Sequence, residues 1–231
     1  MKHDPSAFPT DELVKQIQIL GKDDADFVYE SEQLLFKRWR RGKDLGPLIG
    51  LLSSENTYDR LLGAYYLGEL GERVEDLKAP VRRLLDDPIS DCRRAFVLYM
   101  SNYYDDDIGK AFAKCLLDLD LHVRLTVIRW GIRTSAEQFE HFSRLVETGA
   151  GRRESTFSNP LDRDYWNESE LKRGIRGLNI IRRIRAGEEI PRIREEFPEE
   201  DGFVFDSIDF LRTFGQRQAK WREMKRRRAD S

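Results

Sequence analysis

The chain has 231 residues, 39% of them hydrophobic, enough for one domain or one continuous stack of small units. Charged residues make up 35%, but 40 Lys+Arg against 42 Asp+Glu leave a net charge of −2, and 11% are aromatic; this balance excludes a disordered chain, and 16 Gly with 8 Pro exclude a collagen-like or low-complexity one. Two Cys exclude a disulfide scaffold, no apolar run approaches a membrane span, and Met1-Lys2-His3-Asp4-Pro5 opens without an apolar signal region, so a soluble, cytoplasmic protein is expected.

The first predicted helix runs from Asp11 to Leu20, with Thr10 as its cap, Asp11 and Glu12 at its positive end and Gly21 closing it. A second is expected from about Ala25 to Arg40, ending before Gly42. Residues 1–43 thus read as an N-terminal capping pair. From residue 44 the apolar residues fall at i, i+3 and i+4, the period of a helix with one covered face. Leu45, Leu48, Ile49 and Leu52 form one stripe, Leu77, Val81, Leu84 and Leu85 the next, and Ile108, Phe112, Cys115, Leu116 and Leu119 a third. Their partner helices carry Cys92, Ala95, Phe96, Tyr99, Met100 and Tyr103, then Val123, Val127 and Trp130. Asp, Asn, Ser and Pro separate the paired helices, as caps and tight turns require.

Three segments repeat. The Leu pairs Leu51-Leu52, Leu84-Leu85 and Leu116-Leu117 recur after 33 and 32 residues, and Arg60, Arg93 and Arg124 recur after 33 and 31. A two-helix unit cannot bury its own stripe, so such units must stack. The best-formed unit runs from Asp59 through Arg60-Leu61-Leu62-Gly63-Ala64 to Leu67-Gly68-Glu69-Leu70-Gly71; the second closes on Met100-Ser101-Asn102-Tyr103 and the third on Trp130-Gly131-Ile132. These segments resemble HEAT and HEAT-like repeats over residues 44–134. The resemblance implies an all-α fold, a right-handed α-α superhelix of paired antiparallel helices whose second helices line the concave side, with no chemistry attached. It also implies that Arg60, Arg93 and Arg124 bridge neighbouring repeats through acidic partners; phosphate binding is the other reading of these arginines.

Repeats are expected over residues 44–148, with Ala136 to Val146 as the first helix of a fourth unit. Its partner is delayed: residues 149–168 are crowded with Gly, Ser, Asn, Pro and charge and read as a long loop, uncommon inside an array unless functional. Residues 169–231 then supply a basic helix from Ser169 to Ala186 with Leu171, Ile175, Leu178 and Ile181 as its apolar side, a further helix near Glu188 to Glu196, and a last one from Asp206 to Arg228 marked by Ile208, Leu211, Phe214 and Trp221. The whole is read as a single α-solenoid domain.

No residue set for catalysis emerges. The three histidines, His3, His122 and His141, show no metal-ligand spacing, and no Gly-rich phosphate loop or nucleophile elbow occurs. No cofactor is expected. Cys92 and Cys115 sit on apolar stripes and read as core, and Asp105-Asp106-Asp107 reads as a cap for the helix starting near Ile108. The candidate binding surface is a basic strip. Lys172, Arg173, Arg176 and Arg183 lie on the side of the 169–186 helix away from its apolar residues, Arg129 and Arg133 could extend the strip from the preceding second helix, and Tyr165 and Trp166 would be aromatic anchors just upstream. Facing away from the apolar side, Arg173, Arg176 and Arg183 are expected to tolerate Glu without loss of folding.

Three functions fit this pattern. The first is a non-enzymatic protein-binding repeat protein, by analogy of architecture an immunity protein that neutralises a toxin. The second is nucleic-acid binding, including a likeness to the alkylpurine DNA glycosylases built on HEAT-like repeats, against which a net charge of −2 counts. The third, a repeat-type lyase acting on a chromophore or protein, rests on the repeats alone.

Overall fold

A computed structural model of the chain describes residues 4–20, 24–71, 74–149, 160–198, 202 and 204–210, the side chains of Leu20 and of residues 160–168 excepted. Every regular element among them is a helix, and none is long and apolar enough to cross a membrane. The chain divides into two compact units, residues 1–111 and 112–231.

In the first unit, a short 3-10 turn at Pro5–Ala7 leads into α1 (Thr10–Leu20) and α2 (Ala25–Trp39). Thr10 is the first residue of α1. Its buried hydroxyl accepts from Arg38 Nη1 (2.9 Å) and donates to Asp44 Oδ2 (3.1 Å), so it ties α1 to the chain beyond α2. Asp24 caps α2 by accepting from Phe27 N–H. Phe27, Leu35, Phe36 and Trp39 line its buried face, and Leu13, Val14 and Ile17 that of α1.

Two helix pairs follow. α3 (Gly46–Leu52) buries Leu48, Leu51 and Leu52, and α4 (Thr57–Leu70) starts on an Asn56 cap and ends at Gly71, whose φ of 64° is the left-handed stop that glycine adopts without strain. The apolar stripe from Leu77 to Leu84 is buried, but its helix is interrupted: a 3-10 turn at Glu75–Leu77, one α turn, α5 (Lys78–Arg82), and a second 3-10 turn at Arg83–Asp86. Pro80 lies inside α5 and is buried. α6 (Ser90–Met100) then packs along α4 and buries Cys92, Ala95, Phe96, Val97, Tyr99 and Met100.

The division between the units falls inside α7 (Asp106–Leu116), whose start Asp105 caps by accepting from Ile108 N–H at 2.8 Å. In the second unit α8 (Leu121–Arg133) starts on an Asp120 cap and α9 (Ala136–Glu147) on Ser135. Trp130 of α8 stands edge-on to both Phe112 and Phe142. α10 (Pro160–Arg185) is 26 residues long and corrects the predicted loop: the helix starts nine residues before Ser169, with Pro160 in the first turn, where the missing N–H is harmless. The predicted anchors Tyr165 and Trp166 are therefore in helix, and their side chains lie outside the described residues. α10 buries Gly174, Gly177, Leu178, Ile180 and Ile181, whereas Leu171 and Ile175 are only half-buried. The glycines bring backbones close: a Cβ at Gly177 would stand 2.9 Å from Leu116 Cδ1, and one at Gly131 would stand 2.9 Å from Ile181 Cδ1. α11 (Ile190–Glu196) and the helical residues 204–210 follow, with Ile193, Val204, Phe205 and Ile208 buried. Of the predicted last helix, Leu211, Phe214 and Trp221 fall outside the described residues.

The repeated arginines share one geometry. In each case Nη1 donates to the carbonyls six and five residues back: Arg60 to Ser54 and Glu55, Arg93 to Asp87 and Pro88, Arg124 to Asp118 and Leu119. Each thereby satisfies backbone oxygens in the turn before its own helix. Arg60 also reaches the next pair, its Nε donating to the buried Asp87 Oδ2 at 2.6 Å, while Asp87 Oδ1 accepts from Ile89 N–H. Arg60 is thus a bridging residue.

Candidate partner-binding groove

α4 is apolar on nearly all sides, more than one covered face needs. Its core face carries Gly63, Ala64, Tyr66, Leu67 and Leu70. A second stripe, Tyr58, Leu61, Tyr65 and Gly68, follows the same helical spacing around the outside. On α6 the residues at Asp91, Arg94, Ala95 and Leu98 form a parallel stripe. Between the two lies a groove of about 420 Å³, lined by Leu61, Ala64, Tyr65, Gly68 and Glu69 from α4 and Asp91, Arg94, Ala95 and Leu98 from α6. Ala64, Gly68 and Ala95 leave the depression. Tyr65 and Leu98 flank it at 50% and 48% exposure. A Cβ added at Gly68 would meet nothing within 4 Å, so the fold does not require glycine there.

Three charged residues line the groove, Glu69, Asp91 and Arg94. Asp91 and Arg94 pair with each other at 3.7 Å. Glu69 of α4 remains; on α2, burial pushes the Glu32 carboxyl above the usual carboxylate range, against a lowering by Tyr66 and with a smaller push from the charge of Glu69. Tyr66 is fully buried; its hydroxyl lies close enough to influence Glu32 but meets no hydrogen-bond geometry. Arg40, the cation nearest the end of α4 in the hydrogen-bond pattern, directs Nε to the Leu70 carbonyl and Nη2 to that of Glu69. Among the described residues, no Lys or Arg pairs with the carboxylate of Glu32 or Glu69.

The predicted basic strip is different in kind. Arg133 and Lys172 are exposed, and Arg129 and Arg176 half-buried. Arg173, however, donates from Nη1 to the Leu117 carbonyl at 2.8 Å. Arg183, 17% exposed, pairs with Glu188 (2.6 Å) and with Glu196 on α11, and lies 5.9 Å from the Phe197 ring centre. Arg182 pairs with Glu147, and Arg185 donates to the carbonyls of Gly131, Ile132 and Thr134 at the end of α8. Arg173 and Arg183, expected on the side of the helix away from its apolar residues, therefore fasten α10 to its neighbours. Helical-wheel reasoning sorted them by their own helix and could not see the acids of α11 or the carbonyl at Leu117.

Both cysteines are buried, and burial, followed by the charge of Asp87, pushes the Cys92 thiol up to about 11, which suits core packing over nucleophilic chemistry. Sequence reasoning missed the α4/α6 groove because it assigned apolar residues to the core. The available signal was Tyr58, Leu61 and Tyr65 falling off the buried face, with a glycine in line. No protein-family model matches the chain, and no curated protein matches it.

Proposed function

We propose that the chain is a non-catalytic, protein-binding repeat protein of the HEAT-like kind, which holds a partner in the groove between α4 and α6. The observation that carries this reading is the groove itself: half-exposed Tyr65 and Leu98 flank a floor kept open by Gly68. Exposed aromatic and aliphatic side chains beside a depression are what a partner's anchor residue needs. The recurring arginine geometry supports the HEAT-like reading, since the same side chain does the same work three times at repeat spacing. The internal contacts of Arg173 and Arg183 favour this groove over the basic strip as the docking surface. An immunity role, with a toxin domain as occupant, is one specific form of this function.

The test is site-specific photo-crosslinking in the cells that natively express the chain. A photoreactive residue at Leu98 should give a discrete protein adduct, one at the exposed Arg83 should not, and Gly68→Phe should abolish the adduct by filling the groove. No adduct from position 98, or the same adducts from both positions, would overturn the reading.

A further inference from the structure

We infer that the first unit holds a separate small-ligand site, a pocket where Arg38, Thr10 and Asp44 meet. Its ligand is a molecule that carries an ammonium and a carboxylate close together, as a free α-amino acid does. The pocket shares no lining residue with the α4/α6 groove, so the inference does not depend on what the groove holds.

The pocket has a volume of about 570 Å³ and is lined by Pro9, Thr10 and Asp11, by Arg38 of α2, and by Asp44 and Pro47 around the start of α3. Small-molecule sites span about 300–1,000 Å³. The buried Thr10 hydroxyl joins the two charges. Its bonds to Arg38 and Asp44, 2.9 and 3.1 Å, place Nη1 and Oδ2 at most 6.0 Å apart. Opposite charges so placed commonly pair directly, yet Arg38 and Asp44 form no ion pair, and each keeps bonding capacity in reserve. Arg38 directs Nη2 to the Phe8 carbonyl at 3.0 Å, and its other N–H groups have no partner among the described residues. Neither does Oδ1 of the exposed Asp44. Asp11, whose one ion pair among the described residues is with Lys15 at 3.9 Å, adds a second exposed carboxylate.

Asp44 is also the one non-glycine residue with positive φ among the described residues, at 53°. Glycine adopts that conformation freely, as Gly42 does at 66°. An aspartate there bears a strain that glycine would not, and what it supplies is a carboxylate at the pocket.

These groups set the chemistry of the ligand. An isolated anion would satisfy Arg38 but face Asp44 and Asp11, and an isolated amine would satisfy the acids but face Arg38. A ligand bearing both charges gains at both ends. In an α-amino acid the ammonium nitrogen and a carboxylate oxygen lie about 3 Å apart by standard bond lengths. With charge-assisted hydrogen bonds of about 2.8 Å at each end, it bridges two groups that stand beyond ion-pair distance but within 6.0 Å.

The experiment measures the unfolding midpoint of the full chain with each of the standard L-amino acids at millimolar concentration, and with acetate and methylamine as single-charge controls. At least one amino acid should raise the midpoint, while the controls leave it unchanged. Calorimetric titration of that amino acid should show binding at least about tenfold weaker to Asp44→Asn, which keeps an acceptor for Thr10 and a side chain tolerant of positive φ. Asp44→Gly, free of the strain, should bind no better than Asp44→Asn. No rise with any amino acid, a rise matched by acetate or methylamine, or undiminished binding by either variant would overturn the inference.

Discussion

Two glycines of the same helix should respond oppositely to the same substitution. Gly63 and Gly68 both lie inside α4, where replacing Gly by Ala gains about 0.5–1 kcal/mol from backbone entropy and helix propensity. At Gly68 the new methyl enters open space, so Gly68→Ala should stabilise by about that amount. At Gly63 it would stand 3.1 Å from Leu51 Cβ, Leu52 Cδ2 and the Leu52 backbone nitrogen. A flexible side chain could yield, but the nitrogen cannot without displacing α3. Overpacking of this kind costs about 1–3 kcal/mol, which outweighs the propensity gain and leaves Gly63→Ala destabilised by up to about 2 kcal/mol. Urea unfolding followed by circular dichroism, with the slope checked for constancy, measures both. A stabilised Gly63→Ala, or a destabilised Gly68→Ala, would refute the packing of α4 against α3 and the open floor of the groove together.

Further outcomes follow from the charged contacts. Arg60→Ala should lower the unfolding midpoint, because it strands the buried Asp87 carboxylate and the carbonyls of Ser54 and Glu55; in a double-mutant cycle with Asp87→Asn, the two losses should be less than additive, and strict additivity would show that the pair is idle. Glu32→Gln should stabilise the protein at neutral pH. The raised Glu32 pKa means that its contribution is present below the ordinary carboxylate range and is lost as pH rises through the folded value, so the advantage of Gln should vanish in acid, and an advantage constant with pH would contradict the cause assigned. Arg183 holds Glu188 and Glu196 below the usual range, so their contribution is present above that range and fades as pH falls through the lowered values. Arg183→Glu should therefore loosen α11 at neutral pH, as hydrogen exchange would show, and unchanged exchange would return Arg183 to the solvent-facing role read from its helix.

The helices and their register were legible because each rests on a local rule. Caps at Asn56, Asp120 and Ser135 precede the apolar periods they start, and Arg60, Arg93 and Arg124 stand at fixed offsets from the carbonyls they satisfy. The start of α10 was not legible because residues 160–168 hold only Leu161, Tyr165 and Trp166 beside Pro160 as apolar residues, too short a run to fix a helical period. The 3-10 turns around α5 escaped for the converse reason: the stripe Leu77, Val81, Leu84 keeps its spacing well enough to stay buried while the backbone tightens. The groove is a property of two helices side by side. Tyr65 and Leu98 are 33 residues apart, and neither helix alone indicates that both face one depression.

The claim that α4 and α6 hold the partner is tested most directly by the affinity of Gly68→Phe for the protein crosslinked at position 98. Wild type and Arg83→Glu should bind it alike, while Gly68→Phe, with an unfolding midpoint no lower than that of the wild type, should bind at least about tenfold more weakly, roughly 1.4 kcal/mol. Full affinity in a stably folded Gly68→Phe would contradict the account.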